Sequence, residues 1–189
     1  ANRKASRERA DRGERAGISN GPAAEIAQVP DNVYRDGQTT EWGIEALGRL
    51  KDQPFFLAVG MSKPHLPFCA PKRYWDLYDA DQFDIPENGL PEDVPKWAAT
   101  NWGELRKYDA IPAKGPLSEA KARELIHGYY ACVSFIDAQV GMLIDRVKSL
   151  GLWDRTAVCL WGDHGWKLGE HGLWCKHTNF ELDARSPLI

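Results

Sequence analysis

Residues 158–176, VCLWGDHGWKLGEHGLWCK, constrain this chain more than any other stretch. Just before the loop, TAVCLW at 156–161 is a short apolar run between Asp154–Arg155 and Gly162, a pattern that predicts an interior strand. That strand delivers Asp163 and His164 side by side into a segment punctuated by Gly162, Gly165, Gly169 and Gly172. Glycine adopts backbone angles closed to other residues, so the segment can wind tightly around a small polar site. In open α/β sheets the working site lies beyond the carboxyl ends of the strands. A carboxylate oxygen beside an imidazole at such a place predicts a pair of ligands for a divalent cation. An Asp-His-Gly triplet alone is also how a turn or a helix cap reads. Here Trp166, Glu170, His171, Trp174, Lys176 and Asn179 crowd the same loop, too polar and too aromatic for a plain connection.

The rest of the chain supplies an α/β frame for that loop. Trp42, Ile44, Ala46, Leu47 and Leu50 predict an amphipathic helix between Gln38 and Lys51, capped by Thr39 or Thr40. PFFLAVG at 54–60 follows as a strand, in the helix-then-strand order of a parallel crossover. Pro71 to Tyr78 reads as a short aromatic helix, and 79–117 as a long excursion rich in Pro, Gly and Asp, ordered by Trp97 and Trp102. Leu125, Tyr129, Cys132, Ile136, Val140, Leu143 and Val147 then draw an apolar stripe along a helix from Ser118 to about Leu150, ended by Gly151.

Charge is nearly balanced: 24 basic and 27 acidic side chains leave a formal net of -3, so no global attraction to nucleic acid or to an anionic membrane follows. ANRKASRERADRGER opens the chain as a basic run without stacking aromatics, so residues 1–20 are expected to be a charged, poorly ordered segment rather than an RNA-binding arm. The longest apolar runs, such as FFLAVGM, are too short to span a bilayer. Cys69, Cys132, Cys159 and Cys175 show neither a CxxC pair nor zinc spacing, and Cys132 and Cys159 read as small core residues.

GDHGWKLGEHGLWCKHTNF at 162–180 resembles the metal-binding segment of sulfatases, and PFFLAVGMSKPHLPF at 54–68 resembles a second signature of the iduronate-2-sulfatase-like branch. The helix GYYACVSFIDAQVGMLIDRV at 128–147 fits between them, so the resemblance runs from about Gly21 to the end. Choline sulfatases share the Asp-His loop, but Trp166 and KPHLPF favour the iduronate-type branch. The resemblance implies an α/β/α sandwich of the alkaline-phosphatase-like type with a mostly parallel central sheet. Residues 21–189 would be the central part of one catalytic domain, an internal portion whose nucleophile segment precedes Ala1.

What the resemblance implies chemically is hydrolysis of a sulfate ester, on a sugar of a sulfated polysaccharide. Asp163 and His164 would ligate a calcium ion, with magnesium the alternative because imidazole departs from calcium's preference for oxygen. Lys176 would contact the sulfate, and His65 would donate a proton or contact the sulfate. Trp166 would wall the substrate pocket, with His177 standing where the branch tends to carry an aromatic residue. His171 would hold the glycine loop in shape, and His127 would be uninvolved. The nucleophile would be a formylglycine in the upstream segment, made by a formylglycine-generating enzyme or its equivalent. CAPKR at 69–73 matches the bare C-x-P-x-R modification pattern, but it follows KPHLPF directly and lacks the downstream leucine-threonine-glycine, so Cys69 is read as a decoy. The family resemblance implies the periplasm, the cell exterior or the lysosome. Two alternatives stay open: a phosphodiesterase or phosphonate monoester hydrolase on the same fold, and a non-catalytic remnant that binds glycans. The 189 residues by themselves are expected to be inactive.

Overall fold

The computed structural model describes residues 19–189 apart from Asn88. The charged segment expected at 1–20 therefore lies, but for its last two residues, outside the described residues. The chain divides into two compact units. One takes in the chain up to Ala24 with Ala80–Ile126 and Leu160–Ile189; the other takes in Glu25–Asp79 and His127–Cys159.

In the second of these, strand β1 (Ala24–Ala27, its first residue at the unit boundary) and β2 (Phe68–Pro71) form a two-stranded sheet. Helix α1 (Arg35–Leu50) buries Asp36, Gly37, Thr40, Gly43 and Leu47, one face at helical spacing. It starts a turn earlier than the sequence suggests, with Tyr34 at its cap and no side-chain cap bond. Thr40 caps nothing: its hydroxyl donates to the Asp36 carbonyl at 2.9 Å, the back-bond available to a buried threonine inside a helix. Trp42, read as part of the apolar face, is exposed, because the buried face runs through Asp36, Thr40, Gly43 and Leu47 and Trp42 lies off it. The packing is close at Gly43, where an added Cβ would stand 2.8 Å from Leu143 Cδ2. Helix α2 (Lys72–Trp75) is one turn, with Tyr74 and Trp75 buried.

Helix α3 (Glu119–Ser149) is the long helix expected, and the Ser118 hydroxyl accepts from the Lys121 amide at 3.3 Å at its start. At 1.5 Å per residue its 31 residues make it about 46 Å long. Gly151, at φ 67°, turns the chain away after it. Leu47, Val147 and Leu152 form a core cluster against Phe55, Leu57, Leu143 and Leu150.

The two segments read as interior strands differ from expectation. Residues 55–61 keep a strand's two-residue alternation, with Phe55, Leu57 and Val59 half-buried, yet they join no ladder and Phe56 is 91% exposed. In 156–161 the apolar side chains Val158, Leu160 and Trp161 are exposed, and Cys159 is exposed rather than a core residue. Trp161 pairs with Leu188 in an antiparallel bridge, with Leu160 and Ile189 exchanging two backbone bonds of 2.9 Å. An interior strand is buried only when neighbours lie on both edges and both faces. Among the described residues these segments lack them.

In the other unit β3 (Lys167–Leu168) and β4 (Trp174–Cys175) pair antiparallel, Lys167 opposite Cys175 and Leu168 opposite Trp174. Helix α4 (Glu181–Ala184) follows. The 79–117 excursion is ordered by Trp102, Leu105 and Tyr108, all buried, whereas Trp97 is exposed and contributes nothing to that core. The Arg106 guanidinium lies 3.4 Å from the Trp102 ring centre. The backbone of Asn20 and Gly21 bonds to Lys107 and Asp109, tying the start of the described chain to the excursion.

Candidate functional site

Asp163 and His164 leave the extended segment side by side, with His164 Nε2 3.6 Å from Asp163 Oδ2. His164 Nδ1 lies 2.8 Å from the Gly165 carbonyl, which can only accept, so Nδ1 carries the proton and Nε2 presents its lone pair in the neutral ring. The imidazole stacks against Trp166, centres 6.1 Å apart and planes at 27°. The Lys176 ammonium stands 4.7 Å from the centre of the same indole. One tryptophan thus holds both an imidazole and an ammonium.

The loop keeps that shape through a buried polar knot. Lys167 is fully buried and forms an ion pair with Asp183, itself buried, while donating to Thr178 Oγ1 at 2.7 Å. Asp183 also accepts from the Thr178 amide at 2.8 Å. A buried charge is tolerated where it is paired and hydrogen-bonded, as both are here. Gly165 donates its amide to the Asp183 carbonyl at 2.8 Å, and an added Cβ would stand 2.0 Å from the Leu182 carbonyl oxygen, so only glycine fits. His171, Cys175 and His177 take positive φ of 57°, 66° and 92°. Such angles cost non-glycine residues of order 1–3 kcal/mol each and persist where surrounding structure imposes them. His171 also packs its ring 5.5 Å from Phe180. Burial pushes the Cys175 thiol up to about 12.

Lys176 is not presented as a bare cation. Both carboxylate oxygens of Glu104, from the excursion, lie 3.1 Å from its Nζ, and Glu104 Oε2 is also 3.1 Å from His177 Nε2. Glu104 and Lys176 are mostly buried, whereas the His177 ring is exposed.

His65 belongs to the other unit. Its loop is pinned from α1: buried Asp36 accepts from the Ser62 amide at 2.9 Å, the Ser62 hydroxyl at 3.0 Å and the Lys63 amide at 3.0 Å. The Lys63 ammonium donates to the carbonyls of His65 and Pro67 at 2.9 and 2.6 Å. His65 Nδ1 is 2.8 Å from the Leu66 carbonyl, so that nitrogen also carries the ring proton. Cys69 lies within β2, half-buried, with its thiol pushed above the usual range chiefly by burial. His127 is bonded to the Trp75 carbonyl at 2.8 Å.

The structure therefore gathers His164, Trp166, Lys176 and His177 in one unit, with Asp163 beside His164. Glu104, Lys167, Asp183 and Asp36 escape sequence reading, because each gains its meaning from a partner brought near by folding. Glu104 and Lys176 are 72 residues apart in the chain. Among the described residues no three His, Cys, Asp or Glu side chains converge as a metal shell. Asp163 and His164 nevertheless fit two positions of one: donors 3.6 Å apart are compatible with an ion about 2.3–2.6 Å from its ligands.

The family model for sulfatases matches residues 8–189, and the chain belongs to the sulfatase family. It is 37% identical over 174 residues to mouse iduronate 2-sulfatase, an alignment that takes in 87% of this chain and 32% of that enzyme. The chain thus spans about a third of the length of the curated relatives it matches. Among solved structures it resembles yidJ of Bacteroides fragilis, described as a sulfatase, with 31% identity and a TM-score of 0.60, covering 82% of this chain and 30% of that one. A phosphonate monoester hydrolase from Silicibacter pomeroyi shares the fold, at TM-score 0.69 and 20% identity over 85% of this chain and 33% of that one. The fold class is the α/β sandwich of alkaline-phosphatase-like hydrolases. Sulfatases as a family use a metal ion and a formylglycine, and act on sulfated substrates.

Proposed function

We propose that this chain is the central portion, within one catalytic domain, of a sulfatase that hydrolyses sulfate esters on sugars of sulfated polysaccharides. The observation that carries the reading is the shared indole of Trp166, which packs against both His164 and Lys176. A candidate metal ligand and a candidate sulfate-binding cation are thereby held to one rigid ring.

Asp163 and His164 would hold the metal, calcium in the first place and magnesium in the second. When bound, the metal would supply positive charge for the sulfate oxygens. Lys176 contributes a further positive charge for the same anion. Breaking the ester S–O bond leaves an alkoxide that needs a proton, and His65 is the residue assigned to donate it or to hold the sulfate. Trp166 and His177 line the approach of the sugar. The nucleophile is assigned to a formylglycine upstream of Ala1, installed by a formylglycine-generating enzyme or its equivalent, and Cys69 is left unmodified. A thiol half-buried in a strand is consistent with that decoy role.

The test is turnover of an aryl sulfate against the matching aryl phosphate by the full-length parent, with His164→Ala and Lys176→Ala alongside. Preference for the sulfate, lost in both variants, is expected. A wild-type preference for phosphate by orders of magnitude defeats the sulfatase reading. A peptide mass showing formylglycine at position 69 would overturn the decoy assignment.

A further inference from the structure

We propose that Glu104 is a specificity-determining residue that makes the site select singly charged sulfate esters over doubly charged phosphate monoesters; this rests on the sulfatase reading of Lys176. The 79–117 excursion brings a carboxylate to the side chain assigned to the anion. Both Glu104 oxygens stand 3.1 Å from the Lys176 ammonium, and one stands 3.1 Å from His177 Nε2. The placement is enforced from both sides. Glu104 precedes fully buried Leu105 and follows buried Trp102, and Lys176 is flanked by two residues held at positive φ, Cys175 and His177. A loop residue steered by that much surrounding structure is a feature to be explained by function rather than by chance.

The consequence is electrostatic. An anion bound by Lys176 shares that ammonium with a carboxylate, so the site offers less net positive charge than the lysine alone would. A sulfate monoester carries one negative charge near neutral pH, whereas a phosphate monoester carries between about 1.5 and 2, its second pKa lying near 6. Repulsion from Glu104 grows with the charge of the ligand, and juxtaposed like charges are a recognised way to reject the wrong partner. Glu104 therefore weakens the hold on both anions but penalises the dianion more. His177, bonded to the same carboxylate, fixes which way Glu104 points.

The experiment compares kcat/KM for 4-nitrophenyl sulfate and 4-nitrophenyl phosphate in the full-length parent, as wild type, Glu104→Gln, Glu104→Ala and Glu104→Asp. The leaving group is common to both substrates, so the ratio of the two values cancels losses that merely reflect a damaged fold. We expect both neutral variants to move the sulfate-to-phosphate ratio about tenfold toward phosphate, and the aspartate variant, which keeps the charge, to stay within about threefold of wild type. The alanine variant repeats the test should the glutamine variant fold poorly. A ratio unchanged in the neutral variants, or moved equally by aspartate, overturns the assignment of Glu104. The wild-type ratio by itself tests the sulfatase reading, so the two ideas fail separately.

Discussion

Lys167 and Asp183 form an ion pair whose side chains are 0% and 3% exposed, joining the first strand of the β3–β4 hairpin to the helix that closes the loop. Lys176 and His177 lie in the stretch of chain between them. Removing one partner leaves a buried charge uncompensated, so Lys167→Ala or Asp183→Ala should cost about 3–5 kcal/mol. The double replacement Lys167→Met with Asp183→Leu should cost less than either single change. Denaturant unfolding of the full-length protein measures all three. Additive losses in the double variant would show that the pair is not coupled.

Gly165 is the point where the loop meets α4, and its place is decided by space rather than by φ. A methyl carbon on Gly165 would stand 2.0 Å from the Leu182 carbonyl oxygen, so Gly165→Ala should push the loop off the helix. Overpacking of this kind costs about 1–3 kcal/mol. Because His164 is its neighbour in the chain, affinity for added calcium, read by titration calorimetry, should fall as well. Unchanged calcium binding would separate the proposed ligands Asp163 and His164 from this contact.

Asp36 acts at the other candidate segment. Asp36→Ala would strip acceptors from the Ser62 and Lys63 amides and the Ser62 hydroxyl, and should lower stability by about 2–3 kcal/mol. If His65 works where it is proposed to, kcat should fall about tenfold with little change in KM, because a misplaced proton donor is felt mainly in the transition state. A rise in KM with kcat unchanged would argue for a binding role instead.

Alkaline pH should weaken the fold. Burial raises the Cys132 thiol from 9.0 to about 12, and burial likewise raises Tyr34 from 10.0 to about 12. Between pH 9 and 12 the unfolded chain gives up protons that the folded chain keeps, so stability falls as pH rises through that window and is whole below it. Cys132→Ala should flatten the loss between pH 9.0 and about 12 in denaturant titrations. A slope identical to wild type would exclude Cys132 as a contributor.

The long helix was legible almost to the residue, from Ser118 and a stripe of apolar residues to Gly151, because helical hydrogen bonds and stripe spacing are local. The adjacency of Asp163 and His164 was legible for a similar reason: neighbouring polar residues and closely spaced glycines are written in order along the chain. The strand readings at 54–60 and 156–161 were weaker, since a strand is completed by its neighbours and an apolar run does not say whether they are present. Thr39 and Thr40 misled as caps because a threonine's hydroxyl serves equally well inside a helix, as Thr40 does.

By itself the sequence determined which residue types could do the chemistry and the family to which they belong, since motif spacing is a property of the chain alone. Only the tertiary structure decided their company: Glu104 on Lys176, Asp183 on Lys167, Asp36 on the loop of His65. Ion pairs and hydrogen bonds act over a few ångströms in space, and folding sets that distance with no regard for separation along the chain.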